Sequence, residues 1–494
     1  MRKRFEQQMN LRTVSISDVQ FTLRSRDELP PVLMALQHIF VTPELNEKIF
    51  ALLEEKICKG KRETGRKGMD LWHILVLAVV RHTLDTNWDR LHDTANNHRQ
   101  VRSILGVHAS GFIAEEYEFN YQSILDNVSL LDDELLEQVN ELVVQAGRQL
   151  LKKKEKEEPL RLKSDSYVLE TNIHFPTDLN LLYDSMRKCL DAVKDLKEIS
   201  DVKGWRKLKR LYSNTKSLFR QASQQVFRSN GKNERQKRDA VKAYLLHCNS
   251  LLQRFEAIIK APPAGMAVGQ ITACITALGH YLDYVKKFTG QVERRLLKGE
   301  TIPADEKIYS IFEEHTEWIT KGKLNKKVEL GHLVLITTDQ HDLIVDYKIM
   351  DKQKDAAQVK PLEERIQQKF AGKEVYSHSF DKGFYSKANK EALQQSGVKH
   401  VILPKRGKLN KEEKELEHSK EFIQLRHAHS AIESNINMLE HHGLNRCRDK
   451  GIRGFKRSVG LSVLAYNLHK LGNILLVKQQ KEKELKAHRL QRAA

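Results

Sequence analysis

The chain has 494 residues, enough for roughly three domains at the usual size and too long to be a small stapled scaffold. Lys and Arg outnumber Asp and Glu by 84 to 65, giving a net charge of +19 and a pI near 9.4, which points to a polyanionic partner, nucleic acid or an anionic membrane surface. No run approaches the ~18 apolar residues of a spanning helix, and the basic start Met1 to Arg4 leads into no apolar signal core, so a cytoplasmic protein is expected. Five cysteines (Cys58, Cys189, Cys248, Cys274, Cys447), far apart and without a CxxC pair, suggest neither a disulfide framework nor a zinc ribbon and read as reduced thiols.

The first stretch, residues 1–155, reads as helical. Its clearest element, residues 70–83, is apolar almost without interruption (Leu71, Trp72, Ile74, Leu75, Val76, Leu77), as a helix buried among others would be. Two short helices follow, near 88–95 and 99–105, the second stopped by Gly106; the trio is compatible with a helix-turn-helix DNA reader or with a plain bundle. A basic stretch before it (Lys59, Lys61, Arg62, Arg66, Lys67) suits phosphates or a solvated linker. A further helix over 132–154 ends in Lys152, Lys153 and Lys154, charges that favour a helix carboxyl end.

At Leu162 the pattern becomes alternating, and a short strand over 162–169 carries Asp165 at its middle, a position where aspartate is a poor strand former. The loop Thr171 to Asp178 follows, with Pro176 disfavouring helix before it. Residues 179–300 are helical again, with apolar seams at spacings of three and four: Leu182, Met186, Cys189, Val193, Leu196; Val241, Leu245, Cys248, Leu252, Phe255, Ile259; Val268, Ile271, Ile275, Leu278, Leu282, Val285. Such seams predict side-by-side helices, an inserted subdomain between parts of one core.

Mixed character returns over 301–476. Two β-branched strands, 333–337 and 343–348, form a hairpin; then come a helix over 361–370, a strand over 375–379, a helix over 387–395, a strand over 399–403, a helix over 426–440, a basic loop and a helix over 459–471. Residues 477–494 are a charged tail with little to bury. The expected class is therefore α/β with large helical parts: a ribonuclease-H-like core whose first strand and loop (156–178) precede the helical insertion.

In that order of elements three distant acids can converge at one edge of the sheet: Asp165 on the first strand, Asp381 directly after the strand ending at Phe380, and Glu433 in a helix after the last strand. Phosphodiester cleavage needs an activated nucleophile and neutralised oxygens, which two divalent ions about 3.5 to 4 Å apart provide. Hard cations choose oxygen ligands, so carboxylates rather than His or Cys form their cage.

The string Asp165-Ser-Tyr-Val-Leu-Glu170-Thr-Asn172-Ile-His174-Phe-Pro176-Thr177-Asp178 resembles the first-aspartate region of bacterial insertion-sequence transposases of the DDE type, particularly the ISNCY group. Similar matches cover Thr316 to Lys323, Phe380-Asp381-Lys382-Gly383-Phe384-Tyr385-Ser386, His429-Ser430-Ala431-Ile432-Glu433-Ser434 and the amino-terminal Gly68 to Ile74, in the family's order. The resemblance implies that Asp165, Asp381 and Glu433 are catalytic and hold Mg2+ or Mn2+, two ions in all. It also implies binding of terminal inverted repeats and target DNA, a homodimer on paired ends, and a cytoplasmic, nucleoid-associated bacterial protein. Glu440 stands seven residues after Glu433, where some related groups place Lys or Arg. DNA contacts beside the acids are then expected from Arg426 or from the loop with Arg446, Arg448, Lys450, Arg453, Lys456 and Arg457.

Blander readings stand beside these. An aspartate after a strand is commonly a turn residue, Glu433 alone is a helix-surface glutamate, and Glu170, Asp178, Asp339, Asp342, Asp346 and Asp351 compete, Asp351 above all as the rival of Asp381. His427, His429, His441, His442 and Cys447 fit no standard zinc spacing. Asn172 and His174 orient a metal cage, touch DNA, or merely fix their loop, and Trp318 stacks on a displaced base or is a packed anchor. Three functions follow: a transposase that cleaves and joins DNA, a non-catalytic DNA-binding descendant, and a nuclease that only hydrolyses.

Overall fold

The computed structural model describes residues 2–7, 14–21, 27–60, 68–107, 117–151, 158–228, 233–320 and 327–493. Most of the basic stretch (Lys61, Arg62, Arg66, Lys67), the Lys152 to Lys154 run and the end of the Thr316 to Lys323 string lie outside them. The chain divides into two compact units, residues 1–172 with 319–494, and residues 173–318.

The first unit opens with α1 (Leu29–Val41), α2 (Pro43–Ile57), α3 (Leu71–Thr83), α4 (Trp88–Asn97), α5 (Arg99–Leu105), α6 (Tyr121–Val128) and α7 (Asp133–Leu151). Pro43 starts α2 where its missing N–H costs nothing; Asn87, His98 and Asn120 cap α4, α5 and α6 by accepting from backbone N–H groups. Gly106, at φ +69°, ends α5 in the left-handed conformation that glycine adopts freely. Every residue of α3 is buried, so it has no face for a DNA groove. A single residue, His98, joins α4 to α5, and the Arg102 guanidinium on α5 is spent on the Tyr117 carbonyl.

Strand β1 (Leu160–Thr171) is longer at both ends than the alternation over 162–169 suggested. The second unit interrupts the chain after it: α8 (Asp178–Ile199), α9 (Leu208–Arg228), α10 (Glu234–Lys260) and α11 (Val268–Val292) share one apolar core of Leu182, Met186, Val193, Tyr244, Phe255, Leu278, Val285 and their neighbours. Most residues of the three seams are buried within this unit, with Leu252, Ile259 and Ile275 half-buried and Val268, at the start of α11, exposed; the unit's bounds, 173–318, run wider than 179–300 because Ile308 and Ile311 also pack on the core.

The rest of the sheet follows: β2 (Glu317–Ile319), β3 (Glu329–Thr338), β4 (Ile344–Ile349), β5 (Val375–Phe380), β6 (His400–Ile402) and β7 (Arg446–Cys447). Within the first unit the strand order is β4-β3-β1-β5-β6. Strands β4, β3 and β1 are antiparallel neighbours, β5 and β6 are parallel to β1, and β7 pairs with the end of β1. Helices α12 (Val359–Lys369) and α13 (Lys387–Gln395) cover one face, burying Leu362, Ile366 and Leu393 against Leu162, Leu335 and Phe380.

Beyond the sheet come α14 (Lys411–Glu417), α15 (Lys420–His429), α16 (Ala431–Leu439) and α17 (Gly451–Ala493). The single helix expected over 426–440 is two, broken at Ser430, whose hydroxyl turns back to the His427 carbonyl. The helix expected over 459–471 begins at Gly451 and runs through what was read as a basic loop and a charged tail. It is held because it is apolar on two sides. Phe455, Val459, Val463 and Tyr466 face the sheet core, and Leu461, Leu464, Leu468 and Leu471 face the amino-terminal helices. Gly472 lets α17 cross α1 closely: a Cβ there would fall 1.8 Å from the Pro31 carbonyl oxygen. Through this shared helix the amino-terminal helices and the sheet form one unit.

Candidate active site

The parallel pairing of β1 with β5 ends at Ser164 opposite Phe380. Continuing that register by one residue sets Asp381 level with Asp165, at the carboxyl end of β5, the position where ligands gather in parallel sheets. The same edge of β1 stays unpaired until Glu170 meets Arg446 of β7, while β3 occupies the other edge through Glu170. Asp165 and Asp381 therefore stand beside a gap in the sheet.

Side chains alternate along β1. Asp165 shares a face with Tyr167 and Leu169, and those two pack in one cluster with Ile432 and Leu439 of α16 and Val459 of α17. Glu433, one residue past buried Ile432, lies in the first turn of the helix covering this face. It and Asp381 are exposed and Asp165 is half-buried, its carboxylate accepting from the Ser166 N–H at 2.7 Å.

Several contacts hold α15 and α16 over the strand ends. Ser379 Oγ donates to the Leu162 carbonyl and stands 3.0 Å from His429 Nδ1. Burial pushes the His429 imidazole down to about 4 against an opposing pull from Asp381, so it is neutral at pH 7. Two residues beyond Glu433, the Asn435 amide donates to Asp342 Oδ1 (3.2 Å), which also takes Lys163 Nζ at 2.7 Å. Burial opposes charge at Asp342, yet Lys163 and Asn435 hold its carboxyl below the ordinary range. The Tyr466 hydroxyl closes this network, 2.9 Å from both Asn435 Oδ1 and the Asp342 carbonyl.

On the opposite face of β1, Ser164 Oγ lies 2.7 Å from Thr337 Oγ1 and 2.8 Å from His378 Nε2, a buried polar brace just before the acids. Next to it Ser166 donates to Asp355 Oδ1 at 2.7 Å. The other oxygen of Asp355 looks onto the Asp381-Lys382-Gly383 turn, where a Gly383 Cβ would stand 2.9 Å from it and 3.5 Å from an Arg406 nitrogen. Asp355 and Arg406 escaped the sequence reading, which favoured Asp351 as the rival acid. They are 189 and 240 positions from Ser166, and no local pattern reports such a contact.

The expected DNA-facing residues part company here. Arg446 lies 3.5 Å from Glu170, Arg448 2.9 Å from Asp85 and Lys456 3.4 Å from Asp133. Arg457, mostly buried on α17, bonds to the Ser129 carbonyl and to Asp449, which also takes Arg81 at 2.6 Å. Arg426 and Arg453 are exposed, and among the described residues neither is in an ion pair. Asn172 is exposed at the end of the first unit; His174, in the second, turns to Asp184 of α8 at 3.3 Å. Trp318 is exposed in the second unit, its ring against Phe175 and Tyr309, in the wall of a largely apolar cavity of about 970 Å³.

Among the described residues no three His, Cys, Asp or Glu side chains are close enough together to hold a metal ion. The chemistry of the acids nonetheless suits a hard divalent cation: Asp165 on β1 and Asp381 just past the end of β5 are oxygen donors, and the neutral His429 imidazole is engaged by Ser379.

Residues 297–468, about a third of the chain, match the family described as Transposase DDE domain, and the match supports a DDE transposase family. It takes in Asp381 and Glu433 but not Asp165. No curated protein and no solved structure matches the chain. No described helix is long and apolar enough to cross a membrane.

Proposed function

We propose that the protein is a DNA transposase of the ISNCY type that cleaves at the ends of its element and transfers the strands into target DNA, with a ribonuclease-H-like core. The strand order β4-β3-β1-β5-β6, with β3 antiparallel on one edge of β1 and β5 parallel on the other, supports the core assignment. The observation that carries the reading is the β1–β5 register, which ends with Ser164 opposite Phe380, one residue before Asp165 and Asp381, in a chain whose later part matches a transposase domain. Asp165 and Asp381 would hold Mg2+ or Mn2+ from the strand ends, and Glu433 would reach it from α16. When bound, such ions activate a water or 3′-hydroxyl and stabilise the departing oxygen.

The chain's own work is positional. Ser166 orients the Asp165 carboxylate through its N–H, and the Lys163–Asp342–Asn435 contacts set the height of α16 and so of Glu433. Arg426 and Arg453, exposed and outside any ion pair among the described residues, would contact DNA phosphates. Two ends must be handled together, so a homodimer on paired inverted repeats is part of the proposal.

The test is incubation of the purified protein with duplexes carrying the element's ends and Mg2+ or Mn2+. Cleavage and joining are expected, with Asp165→Asn, Asp381→Asn and Glu433→Gln each losing both while still binding duplex. Unimpaired cleavage by Asp381→Asn would sink the assignment. Cleavage without joining would make the protein a nuclease, and binding without cleavage a non-catalytic descendant.

A further inference from the structure

Between Asp201 and Glu234 the chain contains no acidic residue, and α9 crosses this window. Leu211, Leu218, Phe219 and Ala222 turn it toward the core of the second unit. The face left to solvent carries Lys209, Arg210, Lys216 and Arg220 with Ser213 and Asn214 between them, all exposed. At about 100° per residue these six fall within an arc of about 160°. Every one is a hydrogen-bond donor, and none is a carboxylate.

Other helices of the same unit are built differently. On α8, Arg187 lies within 3.8 Å of Asp184 and 3.7 Å of Asp191, and Lys194 lies 3.9 Å from Glu198. On α11, Lys286 meets Glu256 of α10 at 2.8 Å. Among the described residues no ion pair involves Lys209, Arg210, Lys216 or Arg220. A helix face that only needs solvation mixes both signs, as these neighbours do. One sign, spread along a helix with small polar donors between, matches a row of phosphates: cations replace condensed counterions, and serine and asparagine donate to phosphate oxygens. From Lys209 to Arg220 the helix rises about 16 Å, a length over which duplex DNA presents about ten charges.

We infer that the solvent face of α9 binds the phosphate backbone of duplex DNA, a binding surface carried by a different compact unit from the three acids. The inference rests on the proposed action on DNA and adds to it where the second unit holds that DNA. Its contacts are to the backbone, so it contributes affinity and salt dependence rather than base recognition.

The experiment uses the full-length chain and a labelled duplex of about 40 base pairs, with binding followed by fluorescence anisotropy from about 50 to 300 mM NaCl. The variant K209Q/R210Q/K216Q/R220Q is compared with K194Q/K260Q/K286Q/K298Q, which removes the same charge from elsewhere in the unit. Far-UV circular dichroism checks that both fold, and the pairs K209Q/R210Q and K216Q/R220Q serve if the quadruple variant does not. The α9 variant should bind at least about tenfold more weakly at 100 mM salt, with a salt slope shallower by about two to four; each pair should show about half that change. The control should stay within about threefold of the wild type. Equal loss in the control would reduce the effect to general charge and overturn the inference. So would an α9 variant that binds duplex unchanged, including one whose lost binding is to phosphatidylserine vesicles instead. Cleavage by Asp381→Asn reports on the acids alone, so the two readings fail separately; a wild type that binds no duplex ends both.

Discussion

Gly383→Ala tests the turn that carries Asp381. The added Cβ would stand 2.9 Å from Asp355 Oδ2, inside van der Waals contact. A carboxylate that retreats from the methyl moves at the expense of the bond that Ser166 donates to its other oxygen at 2.7 Å. A hydrogen bond to a charged group contributes about 1.5–3 kcal/mol; for a half-buried carboxylate a loss of ~1–2 kcal/mol is expected. The first unit, residues 1–172 and 319–494, has about 350 residues. At ~2.1 cal/mol/K per residue its unfolding entropy is ~0.7 kcal/mol/K, so the loss lowers Tm by about 1–3 °C. Removing glycine also restricts the unfolded chain, an opposing stabilisation of ~0.4–1 kcal/mol. Differential scanning fluorimetry of Gly383→Ala, Asp355→Ala and the double variant isolates the coupling. Gly383→Ala should destabilise the native protein but be neutral or stabilising where Asp355 is absent, and in the native background it should slow DNA cleavage about tenfold or more. Equal destabilisation in both backgrounds would show that the backbone, not Asp355, resists the methyl, and the reasoning would fail.

Asp449→Asn leaves the Arg81 guanidinium, 4% exposed, without its charge partner; a broken buried pair costs about 3–5 kcal/mol, so Tm should fall by ~4–7 °C, and a fall under about 1 °C would contradict it. His82 and His442 are buried neutral, their imidazoles pushed down to about 3 and about 4 by burial first and then by nearby cations and histidines. Because the unfolded chain takes up those protons near pH 6.5 and the folded one does not, stability is full above about pH 6.5 and declines as pH falls toward 4, by ~1.4 kcal/mol per pH unit for each histidine. Thermal melts across that range should show the decline, and His442→Gln should flatten it; an unchanged slope would rule His442 out. Asn435→Ala removes the link from α16 to Asp342 and Tyr466, so it should depress cleavage about tenfold or more while duplex affinity, read by anisotropy, stays within about twofold; equal loss of both would refute a positioning role.

Much of the fold was legible locally. Residues 387–395 form a helix with the bounds the sequence suggested, and most of the seams of the inserted unit are buried, because three-and-four spacing leaves one apolar face to hide. The break at Ser430 and the run of α17 from Gly451 were not legible. A serine hydroxyl can return to a carbonyl in either context, and the polar residues at both ends of α17 hide a middle that is apolar toward two different cores. The basic cluster at 446–457 shows the same limit: charge is visible in the chain, but Glu170, Asp85, Asp133 and Asp449 as its partners are not.

Residue order alone was enough to mark Asp165, Asp381 and Glu433 as acids in strand, strand-end and helix settings, since alternation, turn residues and helical periodicity act over a few positions. Which acids stand level was a matter of strand register, and register is chosen by the burial of whole faces and by pairings between residues hundreds of positions apart. The place of Asp355 beneath the Gly383 turn, and the spending of Arg457 on a buried aspartate, come from that same long-range packing. The acid-free face of α9 needed both: its composition is written in the chain, while its exposure and the lack of ion pairs on its four cations came from the way four helices close on one core.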